Sequence, residues 1–154
     1  MLFSELLQQK TVCLDTTAQS KTAVLLKVSQ ILQQSHNSLD ADALFDAYWK
    51  RERLGSTAIG HGITIPHVRS ESIEKSCAVM MKLQHPVDFG AQDKQPVDLV
   101  FALVIPQQQP DHHLQTLTYI IRRFSDSRFR ANCRAAKDSA TLYNLLVEDE
   151  LETA

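Results

Sequence analysis

Two histidines carry the chemistry this sequence can do. His67 closes the run Gly60-His61-Gly62-Ile63-Thr64-Ile65-Pro66-His67. Gly60 and Gly62 permit positive φ or a close backbone approach. Ile63, Thr64 and Ile65 favour extended chain, and Pro66 fixes its own φ while pushing Ile65 towards β. Such a track is stiff, and it delivers one imidazole to a defined spot at a strand end. With an ordinary pKa of about 6.5, a neutral imidazole offers a ring nitrogen as nucleophile near neutral pH. Attack on a phosphoryl donor gives a phosphoramidate, which can pass its group onward. The reaction needs an oriented ring, hydrogen-bond donors around the phosphoryl oxygens, a mouth open to a partner, and no water poised for hydrolysis.

The second histidine is His113, in Asp111-His112-His113-Leu114-Gln115-Thr116-Leu117. It stands at the start of a helix that follows the most apolar segment, where free N–H groups and the positive dipole end favour a phosphate. Arg51 is a candidate clamp for phosphoryl oxygens through its fork of donors, and Ser56 or Thr57 a candidate hydroxyl donor. Each has a plainer reading: a helix cap for His113, a helix-end cation satisfying carbonyls for Arg51, an exposed loop for His61.

The elements that must position these groups follow from periodicity. Met1 to Lys10 reads as at most one helical turn, and Thr11 to Leu14 as an edge strand. Ser20 caps a helix with Val24, Leu25, Val28, Ile31 and Leu32 at helical spacing. Asp40 caps a second, with Leu44, Phe45, Tyr48 and Trp49 as its buried stripe, Arg51 facing inward at its end and Gly55 as its stop. Ala78 to Leu83 reads as a strand closed by His85-Pro86, with a short strand over Val87 to Gly90. Leu99 to Ile105 is uninterruptedly apolar, as a central strand covered on both faces must be. Leu114, Leu117, Ile121 and Phe124 mark an amphipathic helix, and Asp138 or Ser139 caps a last one around Leu142, Leu145 and Leu146. The acidic tail from Glu148 reads as frayed. Strands alternating with longer helices give an α/β class.

Bulk properties set the bounds. A chain of 154 residues that is 44% hydrophobic can bury one good core. A net charge of −2 supplies no global drive towards nucleic acid or anionic lipid. Cys13, Cys77 and Cys133 are odd in number and widely spaced, which fits buried thiols in a reducing compartment. Without a signal peptide or an apolar run long enough to span a bilayer, the expectation is a soluble cytoplasmic protein with no membrane insertion.

Arg51-Glu52, Gly55-Ser56-Thr57 and the run from Gly60 to His67 together resemble the phosphorylation-site signature of enzyme IIA proteins. These form the fructose/mannitol and nitrogen-regulatory family of the bacterial phosphoenolpyruvate phosphotransferase system. The resemblance extends from about Leu14 to Leu146. It implies a mixed β-sheet flanked by α-helices in one domain over 1–154, with an ordered core at about 3–147. It also implies that His67 is the phospho-acceptor, giving a tele-phosphohistidine, and that a second active-site histidine lies in an H-L-x-x-L setting. Leu114 and Leu117 select His113 over His112 for that role, which is to stabilise the phosphoryl group.

The implied partners are a histidine phosphocarrier of the HPr or NPr type, and a regulatory target protein or a IIB component. No cofactor, metal or nucleic acid is implied, and homodimer formation is left open. The G-S-T-x-I-G-x-G-I-x-I-P-H form, Gln95 to Leu99 and the arginine-rich segment after the H-L-x-x-L helix resemble the nitrogen-regulatory branch most. That implies signalling by phosphorylation state in nitrogen- and potassium-related regulation, with a fructose- or mannitol-type IIA as the alternative. Ala58, His61, Thr64 and Val68 depart from the family pattern, where glycine, Asn, Ala and glycine are usual. A metal enzyme built on His61, His67, His112 and His113 is the first rival, yet H-E-x-x-H and paired cysteines are missing. Arg122, Arg123, Arg128, Arg130, Arg134 and Lys137 form a basic segment that suits an acidic partner or simply a solvated face.

Overall fold

The apolar run predicted to be central is central. In the computed structural model, which describes residues 2–108 and 110–153 but not the side chains of 110–112 or 149–153, it forms β6, Val97–Pro106. Leu99, Phe101, Leu103 and Ile105 point to one face and Val100, Ala102 and Val104 to the other, all fully buried. Alternate side chains therefore feed two separate cores, and each large one contributes roughly 1.5–3 kcal/mol of burial.

β6 is flanked by β5, Cys77–Val87, antiparallel, and β5 by β1, Val12–Asp15, parallel. On its other side β6 pairs in parallel with two short strands in succession. These are β3, Ile63–Thr64, and β4, His67–Ser70, while β2, Ala58–Gly60, pairs antiparallel with β3 at the edge. The sheet order is β1-β5-β6-β3-β2, with β4 on β6 beyond β3. One face is covered by α2, Lys21–Ser35, and α3, Ala41–Leu54. The other is covered by α1, Phe3–Leu6; α4, Pro110–Phe124; α5, Ser127–Ala135; and α6, Ser139–Thr153. The protein is a mixed-sheet α/β domain with flanking helices.

The helix starts obey their caps. Ser20 Oγ accepts from Ala23 N and Asp40 Oδ2 from Ala43 N, each at 3.0 Å, worth about 1 kcal/mol apiece. Asp138, rather than Ser139, is the cap of α6, its Oδ1 accepting from Thr141 N at 2.7 Å.

Two expectations need correction, and one helix is an addition. β5 does not end at His85-Pro86 but runs on to Val87 with a register shift after Lys82. The irregular stretch absorbs the proline's missing N–H, so no separate strand follows. Trp49 is exposed, and the buried stripe of α3 is Leu44, Tyr48 and Glu52. The added helix is α5. Asp126 caps it through Arg128 N and Phe129 N, and it buries only Phe129 and Cys133.

Candidate active site

The chain reaches His67 along a track bonded to its neighbours at nearly every step. Gly60, His61 and Gly62 have φ of 93°, 57° and 79°, so the β2–β3 turn is left-handed throughout. Gly62 O then accepts from Asp98 N and Leu99 N at 3.0 and 3.1 Å. Ile65 N donates to Thr57 O at 3.0 Å, and Leu103 N to Pro66 O at 2.8 Å. His67 follows as the first residue of β4, opposite Leu103, whose carbonyl also accepts the buried Tyr48 phenol at 3.0 Å.

The His67 ring is half-buried, with Nδ1 2.8 Å from Ile65 O. A carbonyl can only accept, so Nδ1 carries the proton and Nε2 keeps its lone pair. Burial pushes the pKa of His67 below its ordinary value. The Ile65 hydrogen bond and the Glu52 charge oppose that shift, while Arg51 adds to it.

The His113 ring stands edge-on to His67, centroids 5.5 Å apart and planes at 68°. It lies in the first turn of α4. Its Nδ1 is buried without a hydrogen-bond partner, and so is Thr116 Oγ1 one turn further on. A buried polar atom left unpaired costs roughly 1–3 kcal/mol, which makes this a place where a ligand oxygen or a water would be favoured. Burial lowers the pKa of His113, and the neighbouring His67 and Arg69 lower it further. Both rings are thereby biased towards the neutral form.

The other candidates are placed differently. Arg51, at the end of α3, donates from Nη1 to Gly55 O at 2.9 Å. Its charge still acts on His67. The Ser56 hydroxyl donates to Phe89 O. Thr57 is buried, its hydroxyl donating to Glu52 Oε1 and lying 2.9 Å from Thr64 Oγ1. His61 is exposed, and the side chain of His112 lies outside the described residues. Among the described residues no three of His, Cys, Asp or Glu converge as a metal centre would require.

Two charged residues that the sequence signals give no role act on the rings, Glu52 on His67 and Arg69 on His113. Glu52 lies four residues after Tyr48 on the buried stripe of α3, a spacing that could have marked it. Arg69 lies two residues after His67 on β4, and strand alternation puts both on one face.

The molecule is thus an α/β domain with a paired-histidine centre where the interrupted β3–β4 track meets a helix start. The family model for "Phosphoenolpyruvate-dependent sugar phosphotransferase system, EIIA 2" matches residues 5–149. The chain belongs to that family of phosphotransferase components. It is 38% identical over 133 residues to a nitrogen regulatory protein of Escherichia coli K12, covering 86% of this chain and 81% of that one. It is 30% identical over 109 residues to a fructose-specific EIIA component of Haloferax volcanii, covering 71% of this chain and 71% of that one. The solved structure of nitrogen regulatory protein IIA-Ntr from Neisseria meningitidis superposes with a TM-score of 0.84 at 26% identity, covering 92% of this chain and 97% of that one. Among the described residues no helix is long and apolar enough to cross a membrane.

Proposed function

We propose that the protein is a cytoplasmic phosphoryl carrier with a regulatory output. It accepts a phosphoryl group on His67 from a histidine phosphocarrier of the HPr or NPr type and signals through its phosphorylation state. The observation that carries this reading is the paired centre: Nδ1 of His67 is tied to Ile65 O, Nε2 is left as the nucleophile, and His113 lies edge-on with an unpaired nitrogen.

In the step itself, the Nε2 lone pair forms the new N–P bond as the phosphorus–nitrogen bond to the donor imidazole breaks. The leaving nitrogen keeps the bonding electron pair. The donor ring, protonated on its other nitrogen, thereby leaves as a neutral imidazole; the proton on Nδ1 of His67 stays where Ile65 O holds it, and the phosphorylated ring is an imidazolium. His113 and the N–H groups opening α4 face the spread negative charge. Arg51 and Arg69 add positive potential nearby, whereas Thr57 and Ser56 act by holding backbone rather than by touching the phosphoryl group.

The nitrogen-regulatory branch is the better supported, because similarity to that relative is higher and covers more of both chains than similarity to the fructose-specific one. In that branch the output is nitrogen- or potassium-related regulation through a target protein. In the sugar branch it would be transfer to a IIB component. Phosphorylation adds roughly −1.5 to −2 charges, enough to change which partner docks on a near-neutral surface.

The test is labelling from a phosphocarrier charged with phosphoenolpyruvate. Acid-labile, base-stable label should appear on the wild type and be absent from His67→Ala. Label persisting in that variant would move the acceptor elsewhere. Presenting the labelled protein to a IIB domain separates the branches, since a sugar-type IIA would lose its label to it.

A further inference from the structure

Behind the two histidines lies a carboxylate that the transfer step does not touch. The Glu52 side chain is only 2% exposed, and its Oε2 pairs with Lys21 Nζ at 3.2 Å. Lys21 is the first residue of α2, and its ammonium also sits 5.2 Å from the centroid of the Phe89 ring. The other carboxylate oxygen accepts the Thr57 hydroxyl. With that proton committed, the 2.9 Å contact between Thr57 and Thr64 has Thr64 as donor. Thr64, which stands where the family commonly has Ala, is fully buried and extends the network by one member.

The network ends on the catalytic ring by way of the backbone. Thr57 O accepts from Ile65 N, and Ile65 O holds Nδ1 of His67. We infer that Glu52 is a positioning residue for His67, acting through Thr57 to fix the Ile65 peptide and hence which ring nitrogen carries the proton. A buried ion pair is weak as a source of stability, since desolvation offsets most of its attraction. What it contributes here is placement. If Thr57 is released, the Ile65 carbonyl is no longer fixed, and the ring is free to carry its proton on Nε2. That tautomer has no lone pair where the phosphoryl group must arrive.

The inference rests on His67 being the acceptor, and its test separates the two. The ring tautomer is read by two-dimensional 15N–1H imidazole spectra of the unphosphorylated protein, and the rate by labelling from the charged phosphocarrier. Wild type, Thr57→Ser and Glu52→Gln keep a hydroxyl or an acceptor in place and should show Nδ1–H. Thr57→Val and Glu52→Leu should show a raised Nε2–H population and label about tenfold more slowly, as expected when a reacting group loses its alignment. Should Glu52→Leu fail to fold, the nearly isosteric Thr57→Val carries the test alone. A Thr57→Val protein with the wild-type tautomer overturns the inference, whether or not its rate falls. Label persisting in His67→Ala would instead sink the acceptor assignment, while the tautomer spectra would still report on Glu52.

Discussion

The two ends of β6 each hold a histidine beside an arginine, and they are finished to different degrees. Near Asp98, His61 sits in the β2–β3 turn with its N–H on Asp93 Oδ2 at 2.8 Å. Its carbonyl accepts from Arg134 Nη2, and Arg134 also spans both oxygens of Asp98 at 2.9–3.1 Å. Asp93 takes a further bond from Gln95 N at 3.1 Å. Near Leu103, by contrast, His113 Nδ1 and Thr116 Oγ1 are buried and unpaired, and Nε2 of His67 has its lone pair open. The Asp98 end also holds an open cavity of about 560 Å³ lined by His61, Asp93, Asp98, Arg130 and Arg134. Arg134 and Asp98 answer each other, whereas the groups around His67 await something not supplied by the fold.

The sharpest way to break this contrast is to exchange the fates of the two histidines. His67→Ala should lose all label, and His61→Ala should label at close to the wild-type rate, both read from the phosphocarrier assay. Equal losses would mean that the turn at His61 is part of the reactive centre. Next in size is His113→Ala. Removing a group aimed at developing charge typically lowers rates about 10²-fold, so transfer should slow by that order while the label still forms on His67. A wild-type rate would reduce His113 to a member of the first turn of α4.

The Asp98 end makes its own prediction, in stability rather than chemistry. Arg134→Met removes a forked ion pair whose side chains are 34% and 25% exposed. Partial exposure screens the pair, so the expected loss is only about 1–2 kcal/mol in denaturant unfolding. Labelling by the folded fraction should be unchanged. A variant that is fully stable but fails to label would show that the far end of β6 communicates with the near one.

Much of this layout could be read from residue types. The unbroken apolar run of β6, the capping residues Ser20 and Asp40 and the glycine–proline track to His67 are local signals, and the structure follows them. Val68 is instructive: β-branched where the family usually has glycine, it is buried in β4 opposite Val104, where extended backbone suits it. What could not be read depends on partners distant in sequence or on weak stripes. The surface of α5 is arginine-rich, and two buried residues four apart are too few to mark a helix. β5 passes Pro86 because its pairing is already irregular there. The Glu52–Thr57–Thr64 network spans a helix stop and a turn, so no periodicity reveals it. Arg134 and Asp98 are 36 residues apart in sequence, and only the placing of α5 beside the start of β6 brings them together.

At the His67 end the smallest expected effect concerns protons. Burial is the first cause of a lowered pKa at both His67 and His113, and positive neighbours add to it: Arg51 at the first, His67 and Arg69 at the second. In the unfolded chain each imidazole would titrate at about 6.5. The folded protein therefore binds fewer protons than the unfolded chain as pH falls through 6.5. The stability linked to these two rings is complete above that value and is lost on acidification towards their folded-state pKa values. An NMR titration should find both rings more than half neutral at pH 6.5. Labelling should accordingly fall less than twofold between pH 7 and pH 6.5, with the phosphocarrier's own titration measured separately. If either ring were instead half protonated at or above pH 6.5, burial would not be governing its charge, and the reactive end would have to be kept neutral by its partner rather than by its own walls.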